Sequence, residues 1–360
     1  MRKDNTIEAF FALVRGGLWE QDVKLQSYRG LDFNEVMRLA ESQAVVGLVT
    51  AGLEHVIEMK IPKEIVLQFI GQTLQLEQRN AAMNSFIGET IEKLREADIY
   101  TLLVKGQGVA QCYERPMWRT SGDVDFFLSG DNYVRAKSFF YPLSSGCKPE
   151  RKYSKEWGLN ISSWYVELHG TLRTGLSTRV DKAIDEVQRC VFYEGKARSW
   201  MNGKTQMFLP AADEDVFFVF THFIKHFYKE GGVSLRQLCD WCRLLWTYRG
   251  SVDEVQLEKR LKRSGLMSEW KAFAAVAGEY LGMLCEAIPL FNENDNQNEK
   301  LKRKADKILA FILKGGEWQS VQDTITVGRI FPLNTIRFAP GILLSVNWLK
   351  IKERLFSNNE

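Results

Sequence analysis

A chain of 360 residues exceeds one typical core, and its 45 % hydrophobic and 26 % charged residues are those of an ordinary globular protein, so two or three domains are expected. A net charge of +3 without a long basic run argues against tight nonspecific nucleic-acid binding. No uncharged apolar run reaches the ~20 residues of a membrane span, and polar residues 2–5 stand where an export signal needs an apolar core, so a cytoplasmic protein with no transmembrane segment is expected. Six cysteines, at 112, 147, 190, 239, 242 and 285, show no regular framework and read as reduced thiols.

Residues 1–80 are helical in pattern, with Phe33, Val36, Met37 and Ala40 at helical spacing and Pro62 at a helix start, and suit a lid or support. From residue 81 a helix with Phe86, Ile91, Leu94 and Ala97 on its apolar side leads into alternating strands and helices. The stretch 101–110 reads as a buried strand, a glycine turn and a helix. Gly106 and Gly108 let backbone N–H groups approach a ligand, and a helix N-terminus behind them favours negative charge, so phosphate fits there. Lys105 adds a compact positive charge and Arg119 a forked one.

In the stretch 118–128, strand alternation puts Asp123 and Asp125 on one exposed face while Val124, Phe126 and Leu128 point into a core. Adjacent carboxylates repel unless a proton or a cation lies between them, and Mg2+ is the usual ion for an all-oxygen pair. The alternative is a turn ending at Gly122 with a capping aspartate and a solvated neighbour. Asp131 is expected to cap the helix through Tyr133, Ala136, Phe139 and Phe140. Further on, Tyr165, Glu167 and His169 share one strand face and Val166 and Leu168 the other. Glu167 is either a third acid or a solvated glutamate; His169 contacts substrate, orients Glu167 or is structural.

The sheet is expected to end at residues 207–210. Asp213, Glu214 and Asp215 suit a helix first turn, and Val216, Phe220, Phe223 and Phe227 form its buried stripe. His222 and His226 share a face, where they hold a metal or, with Lys225 and Arg236, face a cleft and bind nucleotide or acceptor. Arg236 and Asp240 are spaced to pair. Cys239 and Cys242 fall in a helical pattern with no second pair to complete a zinc site, which favours packing. Residues 291–299 read as a polar loop. The basic amphipathic tail, 342–356, either docks on the protein itself or rests on a membrane surface or partner helix.

Leu103, Lys105, Gly106, Tyr113, Pro116, Arg119, Asp123 and Asp125 together resemble the signature of a family of uncharacterised bacterial nucleotidyltransferases, within the polymerase-beta-type superfamily: L-K-G, a tyrosine and a proline, then R-x-x-x-D-x-D. Val166-Glu167-Leu168-His169 and the helical stretch with His226, Leu235, Arg236 and Asp240 are also similar to it, and the likeness spans about residues 80–250. Where the wider superfamily carries Gly-Ser, this chain has Lys105-Gly106 and then Gln107, without the hydroxyl that grips phosphate. The resemblance implies an α+β fold: a nucleotidyltransferase mixed sheet with flanking helices at 81–210, between helical regions at 1–80 and 211–360. It implies Mg2+-dependent transfer of a nucleoside monophosphate from an NTP, with ATP expected, to a hydroxyl of a small-molecule or macromolecular acceptor. Asp123 and Asp125 would hold metal, and Glu167 would bind a second ion or act as base. Lys105, Gly106, Gln107, Arg119, His169, His226 and Arg236 would bind the nucleotide. The competing expectation is a catalytically weak or silent nucleotide-binding module, which the missing hydroxyl permits; a scaffold without nucleotide is a third.

Overall fold

A computed structural model describes residues 5–229, 232–314 and 321–338. Helices α1 (Asn5–Trp19), α2 (Phe33–Ser42) and α3 (Val46–Glu54) open the chain, and Asp32 caps α2 by accepting from the backbone N–H groups of Asn34 and Glu35. Val36, Met37 and Ala40 are buried, as their spacing predicts. Pro62 directly precedes α4 (Lys63–Glu96), a single 34-residue helix where two separate helices were expected. No proline falls within it, and Gly71 and Gly88 are both accommodated in its turns.

The sheet follows. Strand β1 (Leu102–Val104), the short helix α5 (Gly106–Ala110), β2 (Asp123–Phe127), α6 (Gly130–Phe140), β3 (Gly146–Cys147), β4 (Glu156–Ile161) and β5 (Trp164–His169) build five strands in the order β1-β2-β5-β4-β3. β2 runs parallel to β5, and the other pairs are antiparallel. Alternation sorts the side chains by face. Val124, Phe126, Leu128, Val166 and Leu168 join one core with Ile87, Ile91 and Leu94 of α4 and Phe140 of α6. Leu102, Val104 and Phe127 face the helical core on the opposite side. Ser129, not Asp131, occupies the N-cap of α6; Asp131 lies in its first turn, where the helix dipole still favours an acid.

Beyond α7 (Thr178–Tyr193), residues 207–210 do not close the main sheet as expected. They form β7 (Thr205–Pro210), which pairs with β6 (Ala197–Asn202) as a separate hairpin. The rest is helical: α8 (Ala212–Lys229), α9 (Leu235–Thr247), α10 (Glu254–Ser264), α11 (Met267–Leu281), α12 (Glu293–Asn296), α13 (Glu299–Lys314), α14 (Val321–Ile330) and α15 (Pro332–Phe338). Asp213, Glu214 and Asp215 do lie in the first turn of α8, and Val216, Phe220, Phe223 and Phe227 are its buried stripe. Phe220, Phe223, Trp241 and Trp270 pack edge-on or tilted at 4.8–5.9 Å between centroids, which fixes α8, α9 and α11 against one another. Cys239 and Cys242 are buried in that packing as free thiols. The stretch 291–299 is not all loop: Asn292 caps α12, and α13 begins at Glu299. The tail at 342–356 lies outside the described residues. Among the described residues no helix is long and apolar enough to cross a membrane.

Candidate functional site

Register brings the acids together. β2 pairs with β5 so that Asp123 lies beside Tyr165, Asp125 beside Glu167 and Phe127 beside His169, which places Asp123, Asp125, Glu167 and His169 on one sheet face. That face looks toward α8 and α9. Asp125 is not exposed, as the alternation pattern had suggested, but 1 % exposed, because the helices close over its strand. Its Oδ1 accepts from Lys105 Nζ at 2.6 Å and lies 2.8 Å from His169 Nε2, while His169 Nε2 stands 3.5 Å from Glu167 Oε2.

These contacts divide the carboxylates electrically. Burial works against an ionised Asp125, yet Lys105 and His169 outweigh it and hold the carboxyl down at about 2. Glu167 is pushed up to about 7, by burial first and then by the Asp125 charge. Asp123 is also raised, by Asp125 and then by burial. Burial likewise opposes the charge on Lys105, but Asp125, Asp123 and Glu167 together hold its ammonium above the ordinary lysine range. Lys105 acts on all three acids and Arg236 on Asp123 as well, yet Asp123 and Glu167 stay raised. Donor atoms of Asp125, Glu167 and His169 lie within 4.8 Å of one another, and the hard carboxylate oxygens fit a divalent ion such as Mg2+.

Lys105 sits at the junction of β1 and α5 with φ +55°, and Gly106 follows at φ +40°. Left-handed backbone at a lysine is a strained conformation that aims its side chain back across the sheet face. The turn is otherwise tighter than expected. α5 has only five residues, and Gly108 lies against β7: a Cβ there would meet Leu209 Cδ2 at 2.5 Å, so this glycine serves packing rather than ligand approach. Gln107 points away from the acids. Its Nε2 donates to Asn80 Oδ1 at 2.9 Å on α4, a buried contact within the protein.

Arg119 is likewise bonded within the protein, although it also lines a cavity over the acids. Its Nε and Nη2 donate to Asp240 Oδ1 and Oδ2, both at 2.7 Å, and its Nη1 donates to Ser121 Oγ at 2.9 Å. Tyr113 Oη completes the network on Asp240 Oδ1 at 2.7 Å. Asp240 therefore pairs with Arg119 and not with Arg236, because the fork of Arg119 reaches both carboxylate oxygens across from the β2 approach. Arg236 instead donates from Nη1 to the Thr120 carbonyl at 3.2 Å, and its Nε is buried without a partner.

Two cavities open over the acids. One, a cavity of about 130 Å³, is lined by Gly106, Arg119, Asp125, Arg236 and Asp240 among others; the second, about 140 Å³, by Glu167, His169, Glu156 and Lys225 among others. Lys105, Asp123, His222 and His226 line both. His222 and His226 approach to 3.0 Å between their Nε2 atoms, and burial holds His222 well below the ordinary histidine range, so it is neutral. Asn80 was missed from sequence. Its Nδ2 donates to the carbonyls of Met117 at 2.7 Å and Arg119 at 2.8 Å, which holds the approach to β2 in place. The signal was present: Asn80 shares its helical stripe with buried Phe69, Thr73, Met83 and Ile87, and an amide at a core position calls for specific partners.

No curated protein and no solved structure matches the chain. A family model described as an uncharacterised nucleotidyltransferase matches residues 29–282, a span that takes in α3, α4, the whole sheet and α8 to α11. With that match covering more than half of its length, the chain belongs to this family of uncharacterised nucleotidyltransferases.

Proposed function

We propose that the protein transfers a nucleoside monophosphate from an NTP, with ATP as donor, to a hydroxyl of an acceptor, and that it depends on Mg2+. The observation that carries this reading is the register of β2 against β5, which sets Asp123, Asp125 and Glu167 on one face above a cleft that Lys105 also lines. The acceptor oxygen bonds to the α-phosphorus, the bond to the α–β bridging oxygen breaks, and pyrophosphate leaves. Glu167, held near neutral, takes the hydroxyl proton at Oε2. Lys105 and Arg236 offset the charge of the departing phosphates, and the fixed backbone of Lys105 keeps its ammonium in place while that charge develops. Asp123 and Asp125 would hold the divalent ion, which when bound supplies further stabilisation of phosphoryl charge. Arg119 supports the strand rather than the triphosphate. Six free thiols suit a reducing compartment, so the cytoplasm belongs to the same proposal. So does a division at about residue 210, with the cleft lying between the sheet and α8–α9, whereas the unbroken α4 runs through residue 80.

The test is incubation with an NTP labelled at the α-phosphate, Mg2+ and a metabolite extract. Label moving to an acceptor with release of pyrophosphate is expected, and Asp123→Ala should abolish both. Binding without pyrophosphate release, from any acceptor, overturns transfer. A second reading then stands, favoured by two contacts: Lys105 Nζ and His169 Nε2 already occupy Asp125 Oδ1, as in a nucleotide-binding module that needs no ion there. In that case each NTP raises the melting temperature equally with and without Mg2+.

A further inference from the structure

Half-buried Tyr165 stands beside Asp123 in the pairing of β5 with β2, on the face that Glu167 and His169 share. Its ring turns the other way and lies across β4. A Cβ at Gly158 would meet Tyr165 Oη at 1.9 Å and Cζ at 2.6 Å, so the ring can lie there only because residue 158 is glycine. Gly158 is directly opposite Glu167. Cβ atoms of directly opposed strand residues lie about 5 Å apart, which puts the phenol oxygen at about that distance from Glu167 Cβ. Lys148 Nζ, 4.6 Å from the ring centroid, helps to fix the ring. Tyr113, Tyr133, Tyr153, Tyr228 and Tyr280 all donate their hydroxyls to carboxylates. Tyr165 Oη has no hydrogen bond to any of the described residues.

Resting on the proposed transfer reaction, we infer that Tyr165 is a further substrate-contacting residue and that the acceptor carries a vicinal diol: one hydroxyl reacts beside Glu167, and the oxygen on the neighbouring carbon accepts from Tyr165 Oη. Sheet order decides which substrate the phenol meets. β5 lies between β2 and β4, so Asp123 and Asp125, which would hold the ion and with it the phosphates, stand on one side of Glu167 and Tyr165 Oη on the other. The phenol therefore serves the acceptor. Tyr165 lies outside the walls of both cavities while Glu167 lines the second, so the oxygen that reaches the phenol is not the reacting one. Spacing decides the class. A bond of about 2.8 Å from Oη and another to the Glu167 carboxylate leave room between them for two oxygens on adjacent carbons. An acceptor with a single oxygen would leave this preset donor unused, and a site built to bond a substrate oxygen discriminates against molecules that lack it.

The experiment gives the full chain Mg2+, ATP labelled at the α-phosphate and a dilution series of metabolite extract. The extract is used untreated or after oxidation with periodate, which cleaves vicinal diols, and is quenched before ATP is added. Wild type should move label with the untreated extract and lose most of that transfer with the oxidised one. Tyr165→Phe removes only the hydroxyl and keeps the ring on Gly158. The amount of extract giving half-maximal rate should rise about three- to tenfold, the loss of one neutral hydrogen bond, with the KM for ATP as in wild type. A merely structural tyrosine would lower the melting temperature and leave that half-saturating amount where it was. If wild type moves no label with untreated extract, the underlying transfer reading falls and this one with it. If transfer survives periodate, or Tyr165→Phe saturates with as little extract as wild type, the diol assignment falls alone.

Discussion

Two buried cation–aspartate pairs flank the start of β2, and they are built to opposite ends. Arg119 and Asp240 form a closed pair: both carboxylate oxygens accept from the guanidinium, Tyr113 adds a third bond, and Ser121 takes the remaining fork. Lys105 and Asp125 form an open one. Its ammonium contacts Asp125 at 2.6 Å and acts only at longer range on Asp123 and Glu167, both of which are held above their ordinary protonation range. A pair bonded through both carboxylate oxygens ties the segment before β2 to α9, although it still lines the first cavity. An undersaturated one is a standing demand for positive charge, which is the electrostatic condition for taking up a cation and phosphates.

The sharpest way to break this contrast is to remove one member of the closed pair. Asp240→Ala strands the Arg119 charge and the Tyr113 hydroxyl in a buried site, so unfolding in denaturant should show a loss of about 3–5 kcal/mol. Adding Arg119→Met to that variant should recover much of it. A loss of activity in Asp240→Ala with unchanged stability would mean that the closed pair is catalytic after all.

The open pair should respond in the other sense. Glu167→Gln keeps its shape and removes a carboxylate from a crowded cluster, so the melting temperature should hold or rise. Transfer should fall by about 10²–10⁴, the usual contribution of a general base, with NTP affinity little changed. Lys105→Ala is the smaller perturbation. NTP affinity should weaken by about tenfold or more with the charge-assisted contact gone. Mg2+ binding without nucleotide should tighten, because a competing cation has left the acids. Calorimetry reads both. Mg2+ binding that weakens in Lys105→Ala would show that the lysine organises the acids rather than competing for them.

Period-two alternation in β2 and β5 was legible, and with it the shared face of Asp123, Asp125, Glu167 and His169. The first-turn acids and the apolar stripe of α8 were legible for the same reason, since both depend on neighbours within one element. What failed depended on contacts between elements far apart in sequence. Arg236 and Asp240 have the spacing of a helical pair, but Arg119, more than a hundred residues earlier, offers Asp240 a bidentate fork and wins. The burial of Asp125 could not be read from alternation, because alternation assigns a face and not what covers it. The unbroken α4 was obscured because a gap in apolar pattern at its exposed middle resembles a boundary.

Gln107 gives the finest discrimination between the two kinds of region, because it adjoins the Lys105–Gly106 turn in sequence yet belongs to the closed side in space. Its amide nitrogen bonds Asn80, which in turn holds the Met117 and Arg119 carbonyls, and its Oε1 is buried without a partner. Gln107→Met keeps the length and removes both the bond and the orphaned oxygen. The lost bond leaves Asn80 Oδ1 unmatched while the missing oxygen relieves a desolvation cost, so the net change in stability should be small, about 1 kcal/mol in either direction. NTP affinity should be unaffected, in contrast with Lys105→Ala two positions away. A Gln107→Met protein with near wild-type stability but severalfold weaker NTP binding would move this residue into the cleft, and with it the boundary between the structural and the functional side of the turn.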